Sequence, residues 1–111
     1  MAESRENHSN VLFSYADKVR IGLRVKNGVN IRAHFALGLT GEAGEVADLI
    51  KKAEYPNGRL DIEELVGELG DVLWYLQSLA NLCGITIEQL AVHNIDKLVE
   101  RYPADYTPIP L

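Results

Sequence analysis

The chain has 111 residues and a formal net charge of -5, which argues against bulk-charge binding to nucleic acid or an anionic membrane, since both need a basic surface. That length holds one hydrophobic core and not two, and 47% hydrophobic with 24% charged residues is the balance of a globular domain. A lone cysteine, Cys83, excludes an internal disulfide framework, and the polar start "MAESRENHSN" lacks the apolar centre of a signal peptide, so a cytoplasmic protein is expected.

Residues 1–10 read as a flexible N-terminus. From Val11 to about Lys26, Leu12, Tyr15, Ala16, Val19 and Leu23 recur at helical spacing, and Asn27-Gly28 supplies residues that end a helix. Asn30 is placed to cap a second helix, whose stripe runs Leu39, Ala43, Val46, Ile50 and Ala53 until Tyr55-Pro56-Asn57-Gly58 stops it. Asp61 with Glu64 reads as a capping box opening the third, with Leu60 and Leu65 as a hydrophobic staple. Its stripe is Leu65, Leu69, Val72, Leu76, Leu79 and Cys83, closed by Gly84, and Cys83 is expected to be buried. Thr86 with Gln89 opens the fourth, which continues through Ala91, Ile95, Leu98 and Val99 to Tyr102-Pro103. The proline-rich residues 103–111 are expected to be extended.

No stretch alternates with the period of a sheet and no apolar run approaches the roughly 20 residues that cross a bilayer. The fold class is therefore all-α: an antiparallel bundle of four main helices over residues 11–102, the last three successive neighbours. Trp74 falls off the third helix's main stripe, which suggests a second apolar face and a homodimer or homotetramer.

At about 100° per residue, with Leu39 at zero, Glu42 falls near -60° and Glu45 near -120°, flanking the buried stripe, while Asp48 points away. With Leu69 at zero, Glu68 falls near -100°, Tyr75 near -120°, Glu64 near -140° and Asp71 near -160°, one polar edge in which Glu64 already has a capping task. On the fourth helix Asn94, Lys97 and Arg101 share an edge. For any one helix the plainer reading is a solvated face. Three helices together change the weighing, because acids clustered beside a core repel one another and lose hydration unless cations neutralise them. Hard divalent ions with oxygen ligands do this well, and Mg2+ is held by a few carboxylates plus substrate phosphates.

Other metal centres find no support. His8, His34 and His93 are scattered and Cys83 is alone, so zinc lacks its ligands. Positions 45 and 71 hold carboxylates where di-iron bundles need histidine. The glycines of "GEAGE" lie inside a helical pattern and form no phosphate loop.

The blocks "LGLTGEAGEVADLIKK", "ELGDVLWYL" and "NIDKLVERYP", in this order and spacing, resemble the MazG-like nucleotide pyrophosphohydrolases of the all-α NTP pyrophosphatase superfamily. The likeness extends from about Tyr15 to Tyr106. It departs from the family pattern E-E-x-x-E at Gly41, as do small members that resemble dCTP pyrophosphatases, which removes that position as a general base.

The resemblance implies that Glu42, Glu45, Glu68 and Asp71 are ligands of Mg2+, with Mn2+ able to substitute. It further implies hydrolysis of a nucleoside triphosphate to the monophosphate and pyrophosphate, with Glu42 or Glu45 taking the proton of the attacking water. Asn94, Lys97 and Arg101, with Lys52 on the second helix's acid edge, would bind phosphate. His34 and Tyr75 are candidates for the base, against a plain surface histidine and a partly buried tyrosine. A phosphoribosyl-ATP pyrophosphohydrolase-like enzyme and a non-catalytic helical interaction module are the competing readings.

Overall fold

The computed structural model of the chain describes residues 14–19 and 30–106, and every regular element among them is helical. Residues 14–19 form α1, Ile31–Ala53 α2, Ile62–Leu82 α3 and Ile87–Arg101 α4. The expected first helix and flexible start fall largely outside the described residues, as does the tail after Tyr106.

Local chemistry sets the ends. The Asn30 side chain accepts from Ala33 N at 3.2 Å and opens α2, and Asp61 accepts from Glu64 N at 3.2 Å to open α3, each satisfying an orphan first-turn donor. The return bond expected of Glu64 is not made among the described residues; its charge instead acts on Lys52 and Glu68. Thr86 and Gln89 do form both halves of the box, at 3.1 and 2.9 Å. At the end of α3, Gly84 adopts φ 69°, and Ile85 N reaches Ala80 O while Gly84 N reaches Asn81 O. That Schellman geometry explains the glycine. It also places Cys83 at the exposed cap rather than on the buried stripe, because the helix ends one residue before it.

The link between α2 and α3 turns sharply through Asn57 at φ 70°, with Gly58 N donating to Tyr55 O at 2.7 Å. A Cβ on Gly58 would lie 2.6 Å from the carbonyl oxygens of Ala53 and Lys52, so the turn closes only around a glycine. The chain then doubles back and α3 packs against α2. Phe35, 2% exposed, meets Trp74 and Tyr75 at ring separations of 5.5 and 6.0 Å. Burying such a ring contributes about 1.5–3 kcal/mol. On the other side of α3, Asn81 Nδ2 donates to Ala16 O at 3.0 Å and pins α1. Gln77, 1% exposed, donates to Asn81 at 2.9 Å within the same polar clasp.

The four-helix expectation meets a difference at α4. Among the described residues the extensive helix packing is α2 on α3, and α4 has no buried residue. After α4 the chain also differs from the extended reading. Asp105 N and Tyr106 N both return to Tyr102 O, and the Tyr102 and Tyr106 rings lie 6.4 Å apart, so Pro103 starts a turn. No helix among the described residues is long and apolar enough to cross a membrane.

The turn supplies a test of this local account. Gly58→Ala should cost roughly 1–3 kcal/mol by overpacking, read as a fall of several degrees in thermal midpoint. An unchanged midpoint would show that the two carbonyls yield freely.

Candidate metal centre

The sharp turn sets α2 and α3 side by side so that their acid edges meet. Glu42 of α2 and Glu68 and Asp71 of α3 each offer a carboxylate oxygen, and the three oxygens all lie within 4.8 Å of one another. Glu42 and Glu68 are half-buried and Asp71 is exposed, so the cluster sits at the rim of the helix pair with one side open to solvent. Glu45, expected as a fourth member, lies one turn further along α2 and outside this triad. Its charge still reaches Glu68.

The electrostatics are those of mutually repelling acids. Glu68 is held above its ordinary carboxylate value, first by burial and then by repulsion from Asp71, Glu42, Glu45 and Glu64. Among the described residues, no cation appears with the groups that act on it. Lys52 is committed elsewhere: its Nζ lies 2.8 Å from Asp48 on the outer face of α2. That bond lowers the Asp48 carboxyl and raises the Lys52 amine, which also feels Glu45 and Glu64. Lys52 is thus beside the acid edge but already paired. Its partner is the very aspartate that the helical wheel turns away from the core.

An aromatic wall adjoins the acids. The Tyr75 ring lies directly over Gly38, leaving no room for a Cβ there, and packs edge to face on Trp74 at 5.0 Å. Exposed His34 meets Phe35 at 5.3 Å. Tyr75 follows Asp71 by one turn, and Gly38 precedes Glu42 by one turn. The wall and the acid cluster are therefore consecutive layers of one interface. Trp74, off the main stripe by the wheel, belongs to this wall.

Asn94, Lys97 and Arg101 are not brought to the acids. All three are exposed on α4, and neither cation forms an ion pair among the described residues. Tyr15 is a neighbour that sequence spacing alone misses. Burial and then the charge of Asp71 raise its phenol, yet in the sequence it is only one more apolar-stripe position.

Three carboxylate oxygens converging with no cation fit a hard divalent ion. All donors are oxygen, their number leaves positions for water or phosphate, and a positive charge removes the repulsion that raises Glu68. Thiolate or imidazole ligands that would favour a softer metal are absent from the cluster.

A family model described as the MazG nucleotide pyrophosphohydrolase domain matches residues 32–105. The chain is 36% identical over 73 residues to the Gene 37 protein of Mycobacterium phage L5, covering 62% of this chain and 64% of that protein. It is also 36% identical over 76 residues to dCTP pyrophosphatase 1 of Mus musculus, covering 60% of this chain and 43% of that one. The chain thus spans less than two thirds of the length of either relative. No solved structure matches.

The raised Glu68 carboxyl gives a pH signature. Its folded value exceeds the ordinary 4.5, so the fold favours the protonated form. That advantage is full below the ordinary value and is lost as pH rises through the folded one. Without divalent ions, Glu68→Gln should melt higher than the parent at pH 7, and the gap should close at about pH 4 and below. Equal gaps at both pH values would contradict the repulsion.

Proposed function

Because the chain belongs to the MazG nucleotide pyrophosphohydrolase family, we propose that it hydrolyses a nucleoside triphosphate, of ribose or deoxyribose, to the monophosphate and pyrophosphate. The observation that carries the reading is the convergence of Glu42, Glu68 and Asp71 from two helices within 4.8 Å. These residues, with Glu45 along the same edge, would hold Mg2+, or Mn2+ in its place. When bound, the ion polarises the phosphate chain and offsets charge that develops on the departing pyrophosphate.

The chain's own groups do the remaining work. A water oxygen attacks the α-phosphorus in line, the bond from that phosphorus to the α-β bridging oxygen breaks, and the electron pair leaves with pyrophosphate. The water's proton goes to a carboxylate on α2. Glu42 and Glu45 are the two candidates for this, each a carboxylate with a second oxygen beyond the one it would give to a metal. Asn94, Lys97 and Arg101 would bind the phosphates. Half-buried Tyr75 and exposed His34 stand along the aromatic wall one and two turns from the acids, which supports them as the side that receives the base.

Similarity to a dCTP pyrophosphatase makes dCTP the first substrate to test. Such an activity removes particular nucleotides from the cytoplasmic pool. Leu37, Ile62 and Val66, each more than 60% exposed, support a homodimer or homotetramer. A monomer would leave that apolar surface in water.

Pyrophosphate release should be measured across dCTP, dUTP, dTTP and the purine triphosphates. Release in Mg2+ and its loss in chelator are expected, and Glu45→Gln or Asp71→Asn should lower kcat by roughly a hundredfold or more. No Mg2+-dependent release from any of these nucleotides would sink the proposal.

A further inference from the structure

Glycines 38, 41 and 44 lie inside α2 and glycines 67 and 70 inside α3, where glycine is costlier than alanine. At Gly41, Gly44, Gly67 and Gly70 a Cβ would meet open space. Gly38 differs. A Cβ there would lie 2.5 Å from Tyr75 Cδ1 and 2.6 Å from Tyr75 Cζ, where carbon atoms need about 3.5–4.0 Å. Its backbone is ordinary helix, since the glycine of positive φ among the described residues is Gly84. The close approach of a ring, and not conformational freedom, is what glycine provides at this position.

We propose that Gly38 is a positioning residue for the nucleotide: by lacking a side chain it seats the Tyr75 ring against α2, and that seat sets where the ring meets the sugar and base of the substrate. The contact between Tyr75 and nucleotide rests on the pyrophosphohydrolase reading. The seating of the ring rests on the packing.

The ring has little freedom except at this seat. Trp74 meets it edge to face at 5.0 Å, and Phe35 lies 6.0 Å away. Phe35 is 2% exposed, and an interior packed to that degree does not yield. Tyr75 itself is half-buried, so a ring pushed off α2 swings outward, by roughly 1 Å to restore carbon contact. The helices can keep their register while the ring moves, and the substituted chain therefore folds.

The layer order says what the ring would touch. Gly38 precedes Glu42 by one turn and Tyr75 follows Asp71 by one turn, so the ring layer lies about 6 Å along the helices from the acids. On the other side of the acids the next layer is charged, with Lys52 feeling both Glu45 and Glu64. A nucleotide whose α-phosphate is held at the acids has an apolar wall on one side and charges on the other. Its base belongs with the aromatic rings and its outer phosphates with the charges. A ring displaced outward then intrudes on the base side and leaves the carboxylate oxygens where they are.

The test is Gly38→Ala, alone and together with Tyr75→Ala. Gly38→Ala is expected to raise KM roughly tenfold, the scale of one stacked base, with kcat within about twofold. In the Tyr75→Ala background the same substitution should leave KM unchanged, because no ring remains to be displaced. An equal rise in both backgrounds, an unchanged KM in the parent background, or a fall in kcat with KM kept would each overturn the proposal.

A second readout needs no turnover. Trp74 is the single tryptophan of the chain and packs on Tyr75, so its emission reports the ring layer. Titration with α,β-imido-dCTP in Mg2+ should change that emission, with Kd roughly tenfold weaker in Gly38→Ala than in the parent. If the two Kd values differ in this way while the parent releases no pyrophosphate, the hydrolysis reading fails and the positioning stands. If pyrophosphate is released and both proteins bind the analogue equally, the positioning fails and the hydrolysis reading stands.

Discussion

The packing of α2 on α3 is the constraint on which everything else depends. Phe35 is the large apolar side chain most deeply enclosed among the described residues, and its contacts with Trp74 and Tyr75 fix the register of the two helices. Gly38 removes the one side chain that would hold Tyr75 away. With that register set, the next layer along places Glu42 opposite Glu68 and Asp71, and the layer beyond sets Glu45 and Lys52 near Glu64. A shift of one turn, about 5.4 Å, would dissolve the carboxylate triad. The aromatic layer is thus the rigid support that a metal-binding edge needs.

The same register creates an energetic conflict that a bound cation would relieve. Acids on facing helix edges repel one another, and burial makes the Glu68 charge harder still to hold. A protein selected for stability alone would place a lysine there. Instead the neighbouring lysine is tied to Asp48 on the outer face, and the cluster is left open on the Asp71 side. In the proposed function a divalent metal and a phosphate chain would relieve this arrangement together, the ion neutralising the acids and the nucleotide bringing its own oxygens to the open positions. An acidic protein can thereby bind a polyanion without a basic surface.

Much of this was legible because short-range signals dominate it. Asn30, Asp61 and Thr86 cap their helices as their side-chain chemistry dictates, and helical periodicity put Glu42, Glu68 and Asp71 on edges bordering the apolar stripes. The misreadings come from longer range or from single residues at helix ends. Cys83 shares the apolar spacing of α3, but the Gly84 turn ends the helix before it. Glu64 has the capping spacing without making the return bond. The position of α4 depends on the direction in which four connector residues launch it, which periodicity does not encode. Tyr15 nears Asp71 only because Asn81 pins α1 to α3 through Ala16, a contact between residues far apart in sequence.

The central claim is that two helix edges, brought together by the aromatic layer, form a divalent-cation site. Crystals grown with Mn2+ and measured near its absorption edge test this directly. The account requires an anomalous peak within coordination distance of carboxylate oxygens from Glu42, Glu68 and Asp71, lost in the Asp71→Asn variant. A peak at other residues, or none at Mn2+ concentrations that saturate any activity, would contradict it.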